Sequence, residues 1–425
     1  MGRLEKIFID AASGKTDSRL PLRPSHPRDN RTERMSAFRK SMHPVQSGRP
    51  MYGIRRRGLC CCISIRTVID DHGNLIDVNH EIDRKESEFM EDQITLDYGS
   101  GGRKTAELID NILLPAFSNP ALEALGDGAV LDGSQKLVFS TDSFVVSPWQ
   151  FPGGNIGKLS VCGTVNDVCM AGGIPKYLSL SFILEEGFLF SDFRQIVASI
   201  AEEAKKAGVM IVTGDTKVVD AGKGDGIYIN TSGIGFLHTP MPGKSGIRKG
   251  DAVLISGTAG CHGAAVMMAR SGLLAADSPL KSDCQPLHRL CEAVSAAAAP
   301  GSIRIMRDPT RGGIATTLNE FTEGTGLSIE LNDGDIPVDA CVSAACDMLG
   351  LDPLYCACEG RMLVICDPEC ADALIAAMRA VPGGENAARI GTVTDELPGK
   401  VMLRTSIGGR RILSKLSGMQ LPRIC

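Results

Sequence analysis

The stretch Val209-Met210-Ile211-Val212-Thr213-Gly214-Asp215-Thr216-Lys217 decides the fold class. Its first four residues are apolar and predict a buried strand, which we expect to end where the polar residues begin. A helix is predicted just before it, over about residues 191–207. The helix is marked by apolar residues at helical spacing: Phe193, Ile196, Val197, Ile200 and Ala204. Gly208 then caps the helix, and a helix that leads directly into a buried strand indicates an α/β protein.

Carboxylates recur beside predicted elements of the first half of the chain. A strand is predicted over Leu137–Ser143 with Asp142 at its end, and a helix over about residues 156–171. The polar residues concerned are Asp127, Asp142, Asn166, Asp167 and Asp215. Side chains at strand ends of α/β sheets point into crevices, and carboxylate oxygens suit Mg²⁺, which bridges nucleotide phosphates. The pattern predicts either a metal–nucleotide site or, residue by residue, ordinary turns and caps.

A glycine-rich turn, Gly99-Ser100-Gly101-Gly102, opens a helix predicted to reach about Leu114. Backbone N–H groups of such a turn can approach an anion at a helix N-terminus. The turn is not a P-loop, because Arg103 stands where that motif requires glycine. Phosphate contact and a plain structural turn therefore both stay open.

The second half repeats the alternation of strands and helices. Strands are predicted over residues 251–257 and 362–365 and near 389–395, 400–404 and 410–413, with a hairpin turn at Gly408-Gly409. Helices are predicted from Gly260-Cys261-His262-Gly263, over residues 286–299, and from the turn Arg307–Gly313 to about Thr322. A lone histidine at a helix start, such as His262, is more often structural than catalytic.

Composition excludes several classes of protein. The 425 residues carry a net charge of −5, which argues against nucleic acid as the main partner. No apolar run is long enough to cross a membrane. Fifteen cysteines without a secretory signal predict reduced thiols and a cytoplasmic location. Residues 1–92 are basic and proline-interrupted over their first two thirds. They are predicted to be a disordered extension or a segment outside the natural protein, with Met90 as a candidate start.

The chain ends on a thiol, in Leu421-Pro422-Arg423-Ile424-Cys425. Pro422 stiffens the end and Ile424 offers an apolar anchor. A cysteine on a short tether could leave a cavity, collect a group and swing back, so we expect residues 396–425 to form short strands and a mobile tail. The alternative is an incidental terminal cysteine.

Several motifs together resemble the HypE family, the carbamoyl dehydratases of [NiFe]-hydrogenase maturation, within the aminoimidazole ribonucleotide synthetase (PurM-like) superfamily. The resemblance covers about residues 94–425. The motifs are Gly99-Ser100-Gly101-Gly102, Ser140-Thr141-Asp142-Ser143, Phe151-Pro152-Gly153-Gly154-Asn155, Asn166-Asp167-Val168, Thr213-Gly214-Asp215-Thr216-Lys217 and Pro422-Arg423-Ile424-Cys425. Tyr98, Cys261 and Cys358 depart from the family's usual His, Asp and Ser.

The resemblance implies a two-domain α/β (α+β) fold: an ATP-binding dimerisation domain over residues 93–240 and a second domain over 245–395. It implies a homodimer, ATP and Mg²⁺ as cofactors, a HypF-type carbamoyltransferase as partner and a HypC–HypD iron carrier as cyanide acceptor. The metal carboxylates would be Asp127, Asp142, Asp167 and Asp215. Further nucleotide contacts would be Gly101, Gly102, Asn166 and Thr216.

Cys425 would be the acceptor of the carbamoyl group. We expect Glu359 to act as the base of the reaction and Lys217 as the electrophile. The alternative is that these two side chains form a structural ion pair. Two other readings stay open: another superfamily enzyme, such as thiamine monophosphate kinase, selenophosphate synthetase or the purine cyclo-ligase, and a non-catalytic scaffold whose tail docks a partner.

Overall fold

A computed structural model describes residues 67–69, 75–77, 92–126, 128–275, 277–416 and 423–425. The chain divides into two units, Met1–His80 and Glu81–Cys425. In the first unit, strands β1 (Thr67–Ile69) and β2 (Leu75–Asp77) form an antiparallel pair. This pair lies within the extension predicted to be disordered, and its β-branched residues favour strands. Met90 lies outside the described residues.

The first half of the second unit is built on a four-stranded sheet. A 3₁₀ turn (Leu96–Gly99) and a π-helical turn (Ile109–Leu113) accompany its helices. The elements are α1 (Arg103–Leu108), α2 (Leu114–Phe117), α3 (Pro120–Glu123), β3 (Leu137–Phe144), β4 (Gln150–Phe151), β5 (Gly154–Asn155), α4 (Ile156–Met170), β6 (Gly173–Glu185), α5 (Phe190–Ala207), β7 (Met210–Val219) and β8 (Ile227–Leu237). The strand order is β3-β8-β6-β7, and only β6 and β7 are parallel.

The helix and strand predicted around Gly208 are confirmed, although the strand is longer than expected. Helix α5 ends at Gly208, whose φ of 67° is left-handed, and the apolar stripe of this helix is buried in the core. Strand β7 does not end at Val212, because the long strand β6 pairs with it as far as Val219. The prediction that Asp215 stands at a strand end is therefore wrong. Asp142 likewise lies inside β3, which continues to Phe144.

The continued strands place Asp142 and Asp215 on opposite faces of the sheet. Along one row of the sheet, Ser143 pairs with Asn230, Asn230 with Ser181, and Ser181 with Asp215. Since successive side chains of a strand alternate between faces, Ser143 and Asp215 share one face and Asp142 occupies the other. Helix α4 packs on the face of Asp142: a Cβ atom at Gly163 would lie 3.7 Å from Asp142 Oδ2.

A seven-stranded sheet organises the second half. The elements are β9 (Ala252–Ile255), α6 (Cys261–Ser271), α7 (His288–Ala297), β10 (Ile303–Arg307), α8 (Gly313–Thr322), β11 (Ser328–Asn332), α9 (Ala340–Leu349), β12 (Leu363–Cys366), α10 (Ala371–Arg379), β13 (Ala388–Thr394), β14 (Val401–Arg404) and β15 (Arg410–Leu413). The strand order is β10-β12-β9-β13-β11-β14-β15. The predicted hairpin is confirmed, since β14 and β15 pair antiparallel around Gly408-Gly409.

The buried side chain of Asn166, on α4, joins the two halves. Its Nδ2 donates to the carbonyl oxygens of Gln285 and Glu359, each at 3.2 Å, and its Oδ1 accepts from the N–H of Leu287 at 2.8 Å. Buried polar groups are stable when their hydrogen bonds are made. The predicted mixed α/β architecture is thus observed as two sheets joined by such contacts. Within the described ranges, no helix is long and apolar enough to cross a membrane.

Candidate active site

One cavity of about 290 Å³ lies beside the edge strand β7. It brings together three residues expected at the nucleotide site, Gly101, Asp215 and Thr216, and the expected electrophile Lys217. Lys217 Nζ lies 2.7 Å from Asp215 Oδ1, with the two side chains 61% and 58% exposed. Such an exposed ion pair contributes little to stability, so both side chains can be recruited by a ligand at low cost.

Local backbone geometry explains why the turn beside this cavity contains glycine. Gly101 has a φ of 80°, and its N–H already donates to Thr105 Oγ1 at 2.9 Å. A Cβ atom at Gly99 would lie 2.3 Å from the backbone nitrogen of Val218. Gly102 is the N-cap residue of α1 and does not line the cavity. Contacts of Gly101 and Gly102 with a phosphate therefore stay predictions.

A second cavity, of about 510 Å³, lies between the two halves and contains Cys425. Both halves contribute polar side chains to its wall. They are Thr141, Asp142 and Asp167 from the first half, and Arg307, Asp308, Thr310, Arg311 and Glu359 from the second. The sulfur thus lies among carboxyl groups of both halves, together with two arginines.

The last three residues are held against the segment that follows β3. The N–H of Val145 donates to a terminal oxygen of Cys425 at 3.1 Å, and that of Ser147 to the carbonyl of Arg423 at 3.3 Å. Ile424 is only 2% exposed and packs in the core. The tail predicted to be mobile therefore ends in a docked segment, because its last carbonyls find donors and its isoleucine finds apolar neighbours.

Burial makes the docked Cys425 a poor nucleophile. It raises the pKa of the thiol to about 12, and the neighbouring Glu359 adds to the effect, while Arg311 opposes it. At neutral pH, a thiol with that pKa is ionised in roughly one molecule in 10⁵. The docked position therefore suits a sulfur that already carries a group better than one that has to attack.

Burial also raises the pKa of three carboxyl groups of this cavity, those of Asp142, Asp308 and Glu359. Burial, followed by the charge of Asp167, raises the pKa of Asp308 to about 7. Burial is likewise the main cause of the raised pKa of Asp142 and of the strongly raised pKa of Glu359. Glu359 Oε1 has no hydrogen-bond partner among the described residues. The cavity can therefore hold and exchange protons near neutral pH.

The structure separates the residues expected to act as one catalytic set. Glu359 lines the cavity of Cys425, whereas Lys217 lines the other and pairs with Asp215. Neither the expected catalytic pair nor its alternative, a Lys217–Glu359 ion pair, is observed.

The expected metal carboxylates are also divided. Asp142 and Asp167 line the cavity of Cys425, Asp215 lines the other, and Asp127 lies outside the described residues. Across the part of the chain that the structure describes, no three His, Cys, Asp or Glu side chains are grouped closely enough to hold a metal ion. Among the described residues, Asp215 is thus separated from Asp142 and Asp167, and the four-carboxylate Mg²⁺ site stays a prediction.

Asn166 is buried and already hydrogen bonded, and its expected nucleotide contact stays a prediction. The side chain is 0% exposed, and its hydrogen bonds go to main-chain atoms of the second half. Its amide is thus already used in joining the domains, and it lies immediately behind Glu359.

Asp308 and Arg311 are site residues that the sequence reasoning missed. Their segment, Arg307–Gly313, was interpreted only as a turn before a helix. The available signal was a carboxylate directly after a strand, the pattern already noted in the first half. Gly313 explains the turn, since it has a φ of 58° and a Cβ atom there would lie 2.6 Å from the carbonyl oxygen of Leu354.

The residues that depart from the family pattern, Tyr98, Cys261 and Cys358, line neither cavity. The ring of Tyr98 packs edge-on against that of Phe190, with 5.0 Å between their centroids. Cys358 Sγ accepts from the N–H of Gly260 at 3.1 Å. These substitutions therefore affect packing around the site rather than its walls.

The chain is similar to a known protein family and to named proteins. The AIR synthase related protein family matches with its N-terminal domain over residues 125–237 and its C-terminal domain over residues 248–404. Carbamoyl dehydratase HypE of Cupriavidus necator is 49% identical over 336 residues, which are 78% of this chain and 95% of that protein.

Two solved structures extend the comparison. The hydrogenase maturation protein HypE in complex with ATP is 46% identical with a TM-score of 0.75, over 78% of this chain and 99% of that chain. A HypE–HypF complex is 43% identical with a TM-score of 0.63, over 73% of this chain and 99% of that chain.

Proposed function

We propose that this chain, which belongs to the carbamoyl dehydratase HypE family, converts an S-carbamoyl group on Cys425 into a thiocyanate at the expense of ATP. The product would supply cyanide ligands for [NiFe]-hydrogenase maturation. The observation that carries the proposal is the docked sulfur of Cys425 in a cavity lined by Asp142, Asp167, Asp308 and Glu359. Such a cavity offers proton acceptors and restricts water, which would hydrolyse an activated carbamoyl group.

Loading of the carbamoyl group requires the tail to leave this cavity. Acyl transfer to sulfur needs the thiolate, which the docked position disfavours because it raises the thiol pKa to about 12. A HypF-type carbamoyltransferase is the predicted donor, in line with the solved HypE–HypF complex of relatives. We infer that Cys425 is loaded outside and processed inside.

The dehydration balances with ATP as the acceptor of the oxygen. The carbamoyl oxygen attacks the γ-phosphorus of ATP, the bond between that phosphorus and the β–γ bridging oxygen breaks, and ADP leaves. Loss of one N–H proton gives an S-bound imidate phosphate. Loss of the second N–H proton with cleavage of the C–O bond releases phosphate and leaves S–C≡N. The carbamoyl thioester and ATP thus give thiocyanate, ADP, hydrogen phosphate and one proton.

Asp308 and Glu359 are the proposed proton acceptors, and Arg311 the proposed phosphate contact. A general base works best with a pKa near the operating pH, and that of Asp308 is about 7. Glu359, whose strongly raised pKa favours its protonated form and whose Oε1 has no partner among the described residues, can give its proton to the departing phosphate and then accept one from nitrogen. Arg311 lines the same cavity and offers donors that match phosphate oxygens.

A homodimer is proposed because one face of the first sheet exposes apolar side chains. On that face, Phe139 is 67% exposed, Leu137 54% and Ile183 44%. Contiguous exposed apolar surface marks interaction sites. The same face carries Asp215 and Lys217, so a second copy covering it would place these two residues at the interface between the copies.

Magnesium remains a prediction, and no step above depends on it. If it binds with the nucleotide, it would neutralise charge on the transferring phosphoryl group. Asp142 and Asp167 are the described carboxylates best placed to hold it, since both line the cavity of Cys425.

The cytoplasmic location and the HypC–HypD complex as cyanide acceptor also stay predictions from the resemblance.

Peptide mass spectrometry tests the proposed reaction. The chain is incubated with the HypF-type carbamoyltransferase, its carbamoyl donor and ATP, and the C-terminal peptide is weighed. We expect the peptide to gain a carbamoyl group and then to lose the mass of one water when ATP is present. Cys425→Ala should show neither change, whereas the matched control Cys370→Ala should behave like the unmodified chain. Thiocyanate formed by Cys425→Ala, or phosphate transferred to an added small molecule instead, would refute the proposal.

A further inference from the structure

We infer that His262 and Arg270 are positioning residues that clamp the main chain of the docked tail and thereby set how often Cys425 is inside the cavity. The inference rests on the proposed function for its catalytic consequence, although the clamp itself is independent of that function. Both residues belong to α6, eight residues apart, and therefore project from the same side of that helix.

Every carbonyl of the docked segment accepts a hydrogen bond from this clamp or from the segment after β3. Arg270 Nη2 donates to the carbonyl of Arg423 at 2.7 Å, and His262 Nε2 lies 2.8 Å from the carbonyl of Ile424. The N–H of Val145 donates to the main-chain oxygen of Cys425. Removing His262 would leave the carbonyl of the buried Ile424 without this donor. Removing Arg270 would leave the carbonyl of Arg423 with the longer hydrogen bond from Ser147, at 3.3 Å, and either loss disfavours the docked state.

The partners of His262 fix its tautomer. The carbonyl of Ile424 can only accept, so Nε2 carries the proton. Nδ1 then accepts from the hydroxyl of Ser282 at 2.8 Å, while that hydroxyl accepts from the N–H of Cys284 at 3.1 Å. His262 is 0% exposed, and its ring packs edge-on against Phe151 with 5.3 Å between the centroids. The donor is thus presented in one orientation before the tail arrives.

Arg270 ties the tail to the first domain as well as to α6. Its Nε donates to the carbonyl of Ser147 at 2.8 Å, and the same guanidinium reaches the carbonyl of Arg423. The side chain of Arg423 points elsewhere: its Nε donates to the carbonyl of Val145 at 3.0 Å, and it forms an ion pair with Asp225. Arg270 therefore holds the tail by its backbone, at the joint of the two halves.

The docked tail contains a strained backbone conformation, and the hydrogen bonds of the clamp must offset its cost. Arg423 has a φ of 52°, in the left-handed region that a non-glycine residue adopts only at a cost. This bend turns Ile424 into the core and brings the sulfur to the cavity. His262 and Arg270 hold the tail through the main-chain carbonyls of Ile424 and Arg423, so the clamp can hold the thiol, the carbamoyl thioester and the thiocyanate alike.

A clamp that holds the tail inside should affect the two half-reactions in opposite directions. Loading needs Cys425 outside, and dehydration needs it inside. Weakening the clamp should therefore speed carbamoyl loading and slow dehydration of the loaded chain. A residue with only a structural role in stability would slow both steps.

The direct test is the rate at which iodoacetamide alkylates Cys425, followed by mass spectrometry of the C-terminal peptide. His262→Leu removes the donor while keeping an apolar side chain of moderate size, and Arg270→Met removes the guanidinium. Each should raise the alkylation rate about tenfold, the factor expected for one lost buried hydrogen bond. His262→Gln, whose amide can donate near the position of Nε2, should restore most of the protection.

The matched control is Arg379→Met, because Arg379 also donates to a main-chain carbonyl, that of Ala387, away from the tail. Its alkylation rate should equal that of the unmodified chain. Unchanged alkylation in both His262→Leu and Arg270→Met overturns the clamp. If His262→Leu fails to fold, Arg270→Met and His262→Gln decide the question by themselves.

The second readout separates the clamp from the proposed reaction. Single-turnover loading and dehydration are measured on the same variants, and a rise in the first with a fall in the second supports the clamp. A fall in both rates together overturns it. If alkylation responds as expected but even the unmodified chain forms no thiocyanate, the clamp stands and the proposed reaction fails.

Discussion

Replacing Asp308 by asparagine removes a buried carboxyl group that must ionise beside other carboxyl groups of the cavity. Its pKa is raised from the ordinary value of 3.8 to about 7, by burial first and by the charges of Asp167 and Asp142 after it. Between these two values the folded chain binds a proton that the unfolded chain releases, so the carboxyl group costs stability as the pH rises through this window. Asparagine carries no such cost.

The size of the effect follows from the shift in pKa. About three pKa units at 1.36 kcal/mol each correspond to about 4 kcal/mol above pH 7. By the same relation, the cost is about 2 kcal/mol near pH 5 and close to zero near pH 3. The difference in the free energy of unfolding between Asp308→Asn and the unmodified chain should therefore move in favour of the variant by about 2 kcal/mol between about pH 5 and about pH 8.5.

Urea unfolding at the two pH values measures this difference, and the comparison cancels any constant effect of the amide. Asp347→Asn is the matched control: Asp347 is exposed on α9, so its replacement should give the same difference at both pH values. A pH-independent difference for Asp308→Asn would show that the carboxyl group is not forced into its neutral form. The reasoning about the acidic cavity would then be wrong.

Two further predictions concern the framework of the site. Asn166→Ala leaves the N–H of Leu287 and the carbonyls of Gln285 and Glu359 without their partner. It should therefore lower the free energy of unfolding by about 3 kcal/mol. A loss below about 1 kcal/mol in urea unfolding would contradict the role of Asn166 in joining the two domains. Gly214→Ala would place a Cβ atom 2.2 Å from the carbonyl oxygen of Leu180; we expect a loss of about 2 kcal/mol or more, and an unchanged melting temperature would show that β6 and β7 can separate freely.

The periodicity of the sequence was sufficient for the helices whose apolar stripes face a core. Phe193, Ile196 and Ile200 recur at helical spacing and are buried in α5, because one stripe is enough to cover a sheet. The turn at Gly408-Gly409 could also be predicted from its own residues, since a hairpin is specified by the residues between its strands. Such features depend on neighbours in sequence and could therefore be predicted.

The extent and faces of the strands depended on pairing that the sequence does not display. Strand β7 continues through polar residues only because β6 lies beside it. The alternation of Leu178, Leu180 and Phe182 is the signal in the sequence that indicates β6. Without the full length of both strands, Asp142 and Asp215 could not be assigned to opposite faces.

The composition of the site was hardest to predict because it joins segments from both halves and the chain end. Cys425, Asp142, Asp167 and Glu359 were expected and do lie in one cavity, whereas Lys217 and Asp215 lie in another. Arg311, His262 and Arg270 carry no local motif that reveals their neighbours, and the position of Asp308 directly after a strand does not reveal which residues it meets. Their roles depend on where the tail docks, which is a property of the folded chain.

The central claim is that the carbamoyl oxygen on Cys425 leaves as part of phosphate. A single turnover with carbamoyl donor labelled with heavy oxygen tests this directly, with mass spectrometry of both the C-terminal peptide and the released phosphate. The account predicts that the label appears in inorganic phosphate while the peptide becomes an unlabelled thiocyanate. Label that stays on the peptide, or that is released as water, would contradict it.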